Sequence, residues 1–219
     1  MNKKSIKKKS NLPIIVIIIA AIALFATIAA FINYNSITNN NYEEFITEET
    51  DASKFSQEYH SVSEDNVFVY RDVDQIIRIM EKGTGVVYLG FPDCQWCQAY
   101  VKYLNEAALE TGIDKIYYFN IYEDRLNNTE KYQKIIALLS NNLQSDEEGN
   151  PRVYVPNISF YIDGNLIAND YESSKDTLGY DDPNNYWNNE RITKLKDTLK
   201  KPMQQIIKVN DKCKTTCDN

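Results

Sequence analysis

Between residues 67 and 199, short apolar runs of strand length alternate with longer stretches of helical period. This alternation limits the fold more than any other feature of the chain. A strand is predicted over 67–70. Asp72 then offers an N-cap to a helix carrying Val73, Ile76, Ile77, Ile79 and Met80, which stops at Gly83. Residues 86–91 read as a buried strand, broken by Pro92-Asp93, and a helix begins near Cys94 and ends at Gly112. A strand over 116–121 and a helix over 129–143 follow, the helix carrying Tyr132, Ile135, Ile136, Leu139 and Leu143 on one face. After an acidic loop at 145–151 come a short extended run at 153–155, Pro156, and a hairpin of 158–162 and 166–168 turning at Asp163-Gly164. A long acidic, Asn-rich loop fills 169–186, and a last helix over 188–200 is expected to end at Pro202. The order β-α-β-α-β-α-β-β-α implies an α/β domain with a central sheet flanked by helices.

The rest of the chain divides by composition. Residues 12–32 are 21 residues without a charge, and at about 1.5 Å per residue a helix of them spans a hydrocarbon core of roughly 30 Å. Lys3, Lys4, Lys7, Lys8 and Lys9 precede the run and should stay cytoplasmic. The expectation is a basic segment at 1–11, a single transmembrane anchor at 12–32, and an extracytoplasmic remainder. A cleaved signal peptide, using Ala29-Ala30 near the cut, is the alternative, and it exports the domain equally. Residues 33–66 read as a polar linker with room for a short helix, and the only His, His60, as a solvated residue within it. The domain is thus set at 67–201, with a tail at 202–219.

Residues 1–32 hold five Lys and no acid, so the remainder balances 19 Lys and Arg against 31 Asp and Glu, a net −12. Such a charge repels phosphate backbones, and nucleic acid is not an expected partner. A single His makes His-based catalysis or a His-built metal site hard to assemble.

The chemistry lies at Cys94-Gln95-Trp96-Cys97. The sulfurs are three residues apart, about one helical turn, and face the same side. Cys94 would stand at the helix N-terminus, where free backbone N–H groups and the dipole favour a thiolate. Cys97, one turn deeper, is placed to attack a mixed disulfide and release its product. Trp96 offers apolar surface to a polypeptide, and Asp93 works against the thiolate. Half of a zinc site has the same spacing, with Cys213 and Cys217 as the only other thiols, and an inert structural disulfide is the remaining reading.

The strand–C-x-x-C–helix, followed by Val155-Pro156-Asn157-Ile158-Ser159-Phe160-Tyr161-Ile162-Asp163-Gly164-Asn165, resembles the thioredoxin superfamily. Within it the chain looks most like exported, membrane-anchored thioredoxin-like proteins of Gram-positive bacteria, including bacteriocin transport accessory proteins. The resemblance covers about 67–199 and implies a thioredoxin-like fold with a central mixed sheet. It also implies a cis Pro156 facing the dithiol, and a Val155 backbone that pairs with the substrate's cysteine segment. Thioredoxins commonly carry a buried acid six residues before the first Cys. Here that residue is Tyr88, a phenol that can hydrogen-bond but is no base at neutral pH.

Cys213 and Cys217 close the chain as a second pair, read either as a local disulfide in a tight turn or as a redox relay to Cys94 and Cys97. The expected function is that of a thiol–disulfide oxidoreductase with Cys94 as nucleophile, Cys97 as resolving thiol, and Trp96, Val155 and Pro156 in contact with substrate. Its partners would be cysteine-containing exported proteins or peptides and a redox protein that resets the dithiol, with no cofactor or bound metal. Two rivals are a docking module for an exported peptide without turnover, and a metal-binding accessory protein using all four thiols. The acidic loop at 169–186 is either solvated or a docking surface for a cationic partner.

Overall fold

The computed structural model describes residues 50–171 and 180–217, with side chains through residue 211. The expected basic segment at 1–11 and anchor at 12–32 lie outside the described residues. Among the described residues, no helix is long and apolar enough to cross a membrane.

Helix α1 (Asp51–Glu58) is capped by Thr50, whose hydroxyl accepts the Ser53 amide. Then follow β1 (Phe68–Tyr70), α2 (Val73–Lys82) and β2 (Gly85–Gly90). Asp72 caps α2 in a reciprocal box with Gln75. Helix α3 (Gln95–Thr111) ends at Gly112, which takes the left-handed conformation, φ 83°. Next come β3 (Ile116–Asn120), the short α4 (Tyr122–Leu126), and α5 (Glu130–Leu139) with Thr129 as its cap. A small ladder of β4 (Gln144–Ser145) and β5 (Pro151–Arg152) brackets the acidic loop. Strands β6 (Asn157–Ile162) and β7 (Asn165–Asp170) form the expected hairpin, with positive φ at both Asp163 and Gly164, as a tight two-residue turn demands. The one-turn α6 (Pro183–Tyr186) and the long α7 (Asn189–Cys217) complete the chain.

The sheet runs β1-β3-β2-β6-β7 and is mixed: β1, β3 and β2 are mutually parallel, while β6 is antiparallel to β2 and to β7. Strand β2 is central and buried along its whole length. Its alternation serves two cores. Val86 and Tyr88 join Ile116, Tyr118, Ile158 and Phe160 beneath α1, α3 and α7. Val87 and Leu89 join Tyr161 and Ile121 beneath α2 and α5. The architecture is therefore α/β, a five-stranded mixed sheet with helices on both faces.

Three expected boundaries shift. Residues 50–66 belong to the folded unit, which begins at Glu49, and not to a linker. Phe55 and Tyr59 are fully buried. The Phe55 ring stacks on Phe68 at 3.8 Å and on Tyr59 at 4.3 Å between centroids. Asn105 of α3 holds the following stretch by accepting the Val67 amide and donating to the Asp65 carbonyl. His60 is exposed, but within this folded segment.

The last helix does not stop before Pro202; it continues to Cys217. Proline removes one N–H from the helix, but Leu199, Met203 and Ile206 are buried in the core shared with α3, and Lys196 and Lys200 both pair with Glu110. Burial of these side chains, about 1.5–3 kcal/mol each, outweighs the lost bond. Residues 202–217 are accordingly helix rather than tail. The expected strand at 153–155 is replaced by the two residues of β5 and an irregular run that bends at Val155 and Pro156.

Replacing Phe55 with Ala should cost about 3–5 kcal/mol, as for other fully buried aromatic truncations. Urea unfolding of the two proteins measures it. A loss below about 1 kcal/mol, the scale of an ordinary surface change, would return residues 50–66 to a linker role.

Candidate active site

The site is built where the central strand ends. Tyr88 lies in β2 with its hydroxyl against the α-carbon of Gly90, where a β-carbon would overlap the Tyr88 ring and oxygen. Gly90 is thus required by close approach. The chain leaves the sheet through Phe91, Pro92 and Asp93 and enters α3 with Cys94 as N-cap. Cys94 Sγ accepts the Cys97 amide at 3.2 Å. Gln98 fixes this turn from behind, its side-chain amide donating to the Pro92 carbonyl at 2.9 Å and to the Glu58 carbonyl at 2.7 Å. Asp93, expected to oppose the thiolate, is exposed.

The two thiols differ in environment. Cys94 is partly accessible, and Cys97 is fully buried. The Cys94 pKa falls below the ordinary thiol value, first because the Cys97 thiol donates to its sulfur. The backbone amides of Cys97 and Trp96 and the positive charge of Arg125 add to this, and burial opposes it. Burial pushes the Cys97 pKa well up, and the adjoining Cys94 sulfur raises it further. One sulfur is thus prepared as an accessible thiolate, and the other is held as a protonated thiol behind it.

Beneath Cys97 lies a phenol cluster. Tyr88 and Tyr118 stack at 5.5 Å, Tyr59 meets both edge-on, and Tyr59 Oη donates to Tyr118 Oη at 3.2 Å. Burial holds all three phenols well above the ordinary tyrosine range. Tyr88 Oη has no hydrogen-bond partner among the described residues. The phenol nonetheless works against the rise in the Cys97 pKa, as a donor whose acceptor forms when that sulfur ionises.

The second half of the site comes from β6. Because Leu89 pairs with Asn157, the residue before Asn157 falls opposite Gly90, at the end of the sheet from which the dithiol loop departs. That residue is Pro156, buried, and the Val155–Pro156 peptide bond is cis, the isomer expected. Val155 and Cys94 both pack against the same core as half-buried residues.

Trp96 is half-buried and meets Tyr186 of α6 edge-on at 5.4 Å. Trp187 beside it packs on Tyr103 at 5.3 Å. The described end of the acidic loop therefore lies against α3, and at its other end Asp170 accepts the Tyr100 hydroxyl at 2.5 Å.

Cys213 and Cys217 are not in a tight turn. The backbone there is helical through Cys217. Their side chains lie outside the described residues. Among the described residues no three His, Cys, Asp or Glu side chains gather as a metal-ligand cluster.

Sequence reading did not find Arg125, Gln98 or Tyr59 as parts of this site. Arg125 stands on α4, a single turn too short to show a period, and Tyr59 lies in a stretch whose composition is that of a linker.

The reduced protein should carboxamidomethylate at Cys94 with an inflection below the ordinary thiol value of about 8.5, while Cys97 stays unreactive until well above it. Mass spectrometry across a pH series reads both sites, and equal reactivity at the two would contradict the environments described. Tyr88→Phe should leave folding within about 1 kcal/mol of the parent yet slow release of a Cys94 mixed disulfide about tenfold. Quenched-flow trapping of that adduct checks this, and an unchanged lifetime would limit Tyr88 to packing. No family model, curated protein or solved structure matches the chain.

Proposed function

We propose that this chain is a thioredoxin-fold thiol–disulfide oxidoreductase, membrane-anchored through residues 12–32, with its domain outside the cytoplasm. It exchanges disulfides with cysteine-containing exported proteins or peptides. The observation that carries the reading is the asymmetry of the dithiol: a thiol of lowered pKa at a helix N-cap, backed by a buried thiol of raised pKa. The mixed sheet, with this pair at the end of its central strand and a cis proline at the same end, supports it. The uncharged run after five lysines supports the anchor.

In the reducing direction, the Cys94 thiolate attacks a substrate sulfur, the substrate S–S bond breaks, and the other substrate sulfur leaves as a thiolate that takes a proton. Cys97 then gives up its proton and attacks Cys94, forming the Cys94–Cys97 bond and releasing the second substrate thiol. Two electrons and two protons pass to the substrate. Tyr88 is placed to donate to the Cys97 sulfur as it ionises, which offsets part of the cost of charge in an apolar site. The backbone at Val155, where the chain bends into the cis proline, provides the edge along which a substrate segment lies. Run in reverse, the same steps install a disulfide.

Equilibration of the purified protein over a dithiothreitol series, with alkylation and mass spectrometry, should show a reversible two-electron couple confined to Cys94 and Cys97. A potential near −270 mV assigns a reductant and one near about −120 mV a disulfide donor. Cys94→Ser should abolish exchange with a protein disulfide. Retention of function by that variant would favour the docking module instead.

A further inference from the structure

Two guanidiniums line one pocket, one of them reaching the dithiol loop, and no step above uses them as a pair. Arg125 of α4 lies over the Phe91 ring, 5.0 Å from its centroid and three residues before Cys94. Its Nη1 donates to the Val153 carbonyl at 3.4 Å, two residues before Val155. The side chain therefore spans the two segments that make the site. Arg152 of β5 lies over the Tyr154 ring at 5.7 Å, and both arginines line one pocket of about 410 Å³. Tyr122, exposed and edge-on to Phe91 at 5.2 Å, adds an aromatic surface on the dithiol side.

Among the described residues neither guanidinium enters an ion pair. Burial first, and then the like charge of Arg152, make the Arg125 charge harder to hold than a solvated one. Asp146, the carboxylate at this pocket, is engaged by its own loop, with Oδ1 accepting the amides of Glu148 at 3.1 Å and Asn150 at 2.8 Å. Beyond residue 32 the chain has far more acids than bases. Two adjacent arginines outside any ion pair among the described residues are the opposite of what that excess would supply by chance, and their planar forks suit a carboxylate oxygen pair.

We propose that Arg125 and Arg152 form a subsite for a carboxylate of the polypeptide substrate, an Asp or Glu side chain beside its reacting cysteine. A segment lying along Val155 with its cysteine at Cys94 carries its neighbouring residues toward Val153 and Arg152. The identity of the occupant rests on the oxidoreductase reading; the anion subsite itself rests on the arginines.

The test uses the full-length chain, pre-reduced, with two cyclic peptide disulfides that differ only in Asp or Asn next to one cysteine. Single-turnover rates should favour the Asp peptide roughly fivefold, the scale of a partly exposed charge pair. Added salt should shrink that ratio, and Arg152→Gln should bring it close to one. A parent ratio of one overturns the subsite. Calorimetry of linear peptides with Ser in place of Cys provides a readout without exchange. Preference for the Asp peptide, lost in Arg152→Gln, supports the subsite. Equal affinity overturns it whether or not exchange occurs. If exchange fails with both disulfides while the calorimetric preference persists, the oxidoreductase reading falls and the anion subsite stands.

Discussion

Because the N-cap of α3 is a sulfur and not an oxygen, the contact that starts the helix is also a contact that lowers the Cys94 thiol pKa. The Cys97 amide that Cys94 accepts must be satisfied by something at a helix start, and here the acceptor is the atom that the proposed function makes the nucleophile. The remaining parts of the domain hold that turn in place. Strand β2, buried on both faces, fixes where the loop begins; Gln98 fixes its path; the paired α3 and α7 fix the helix axis. A shift of any one of them moves the sulfur off the amide.

For the proposed exchange, Tyr88 changes the proton chemistry without changing the architecture. A buried carboxylate beneath the second thiol could accept its proton; a neutral buried phenol, held far above its ordinary pKa, takes up no proton and offers a hydrogen bond instead. Cys97 must then deliver its proton elsewhere, and the hydroxyls of Tyr88, Tyr59 and Tyr118 lie on the same side of the sheet as that sulfur. The cost is a fully buried hydroxyl without a partner among the described residues, the kind of local exception that clusters at functional sites.

How legible this was in the sequence depended on how far each element's cause extends along the chain. Strand β2 and α3 were readable because an apolar run and a cap signal adjoin in a few residues, and α2 because Asp72, Gln75 and Gly83 mark both its ends. The docking of α1 was not, although a short helix was allowed for there, because a single fully buried residue, Phe55, ties its eight positions to the core, and its partner Phe68 stands thirteen residues on. The end of α7 was misread because the local rule for proline is real but is outweighed by Met203 and Ile206, whose packing on α3 no window around Pro202 reveals. At the site, the dithiol and the cis proline follow from local motifs, whereas Arg125 is brought there by α4, which the sequence pattern does not announce.

The aromatic packing around α3 has an optical consequence. The chain contains two tryptophans. Trp96 lies between the two cysteines and against Tyr186, and Trp187 lies against Tyr100 and Tyr103 of the same helix. All indole emission therefore arises within reach of one helix, the one that carries the thiols. The protein's ultraviolet fluorescence is accordingly a local gauge of that helix and its redox pair, blind to events at the far edges of the sheet.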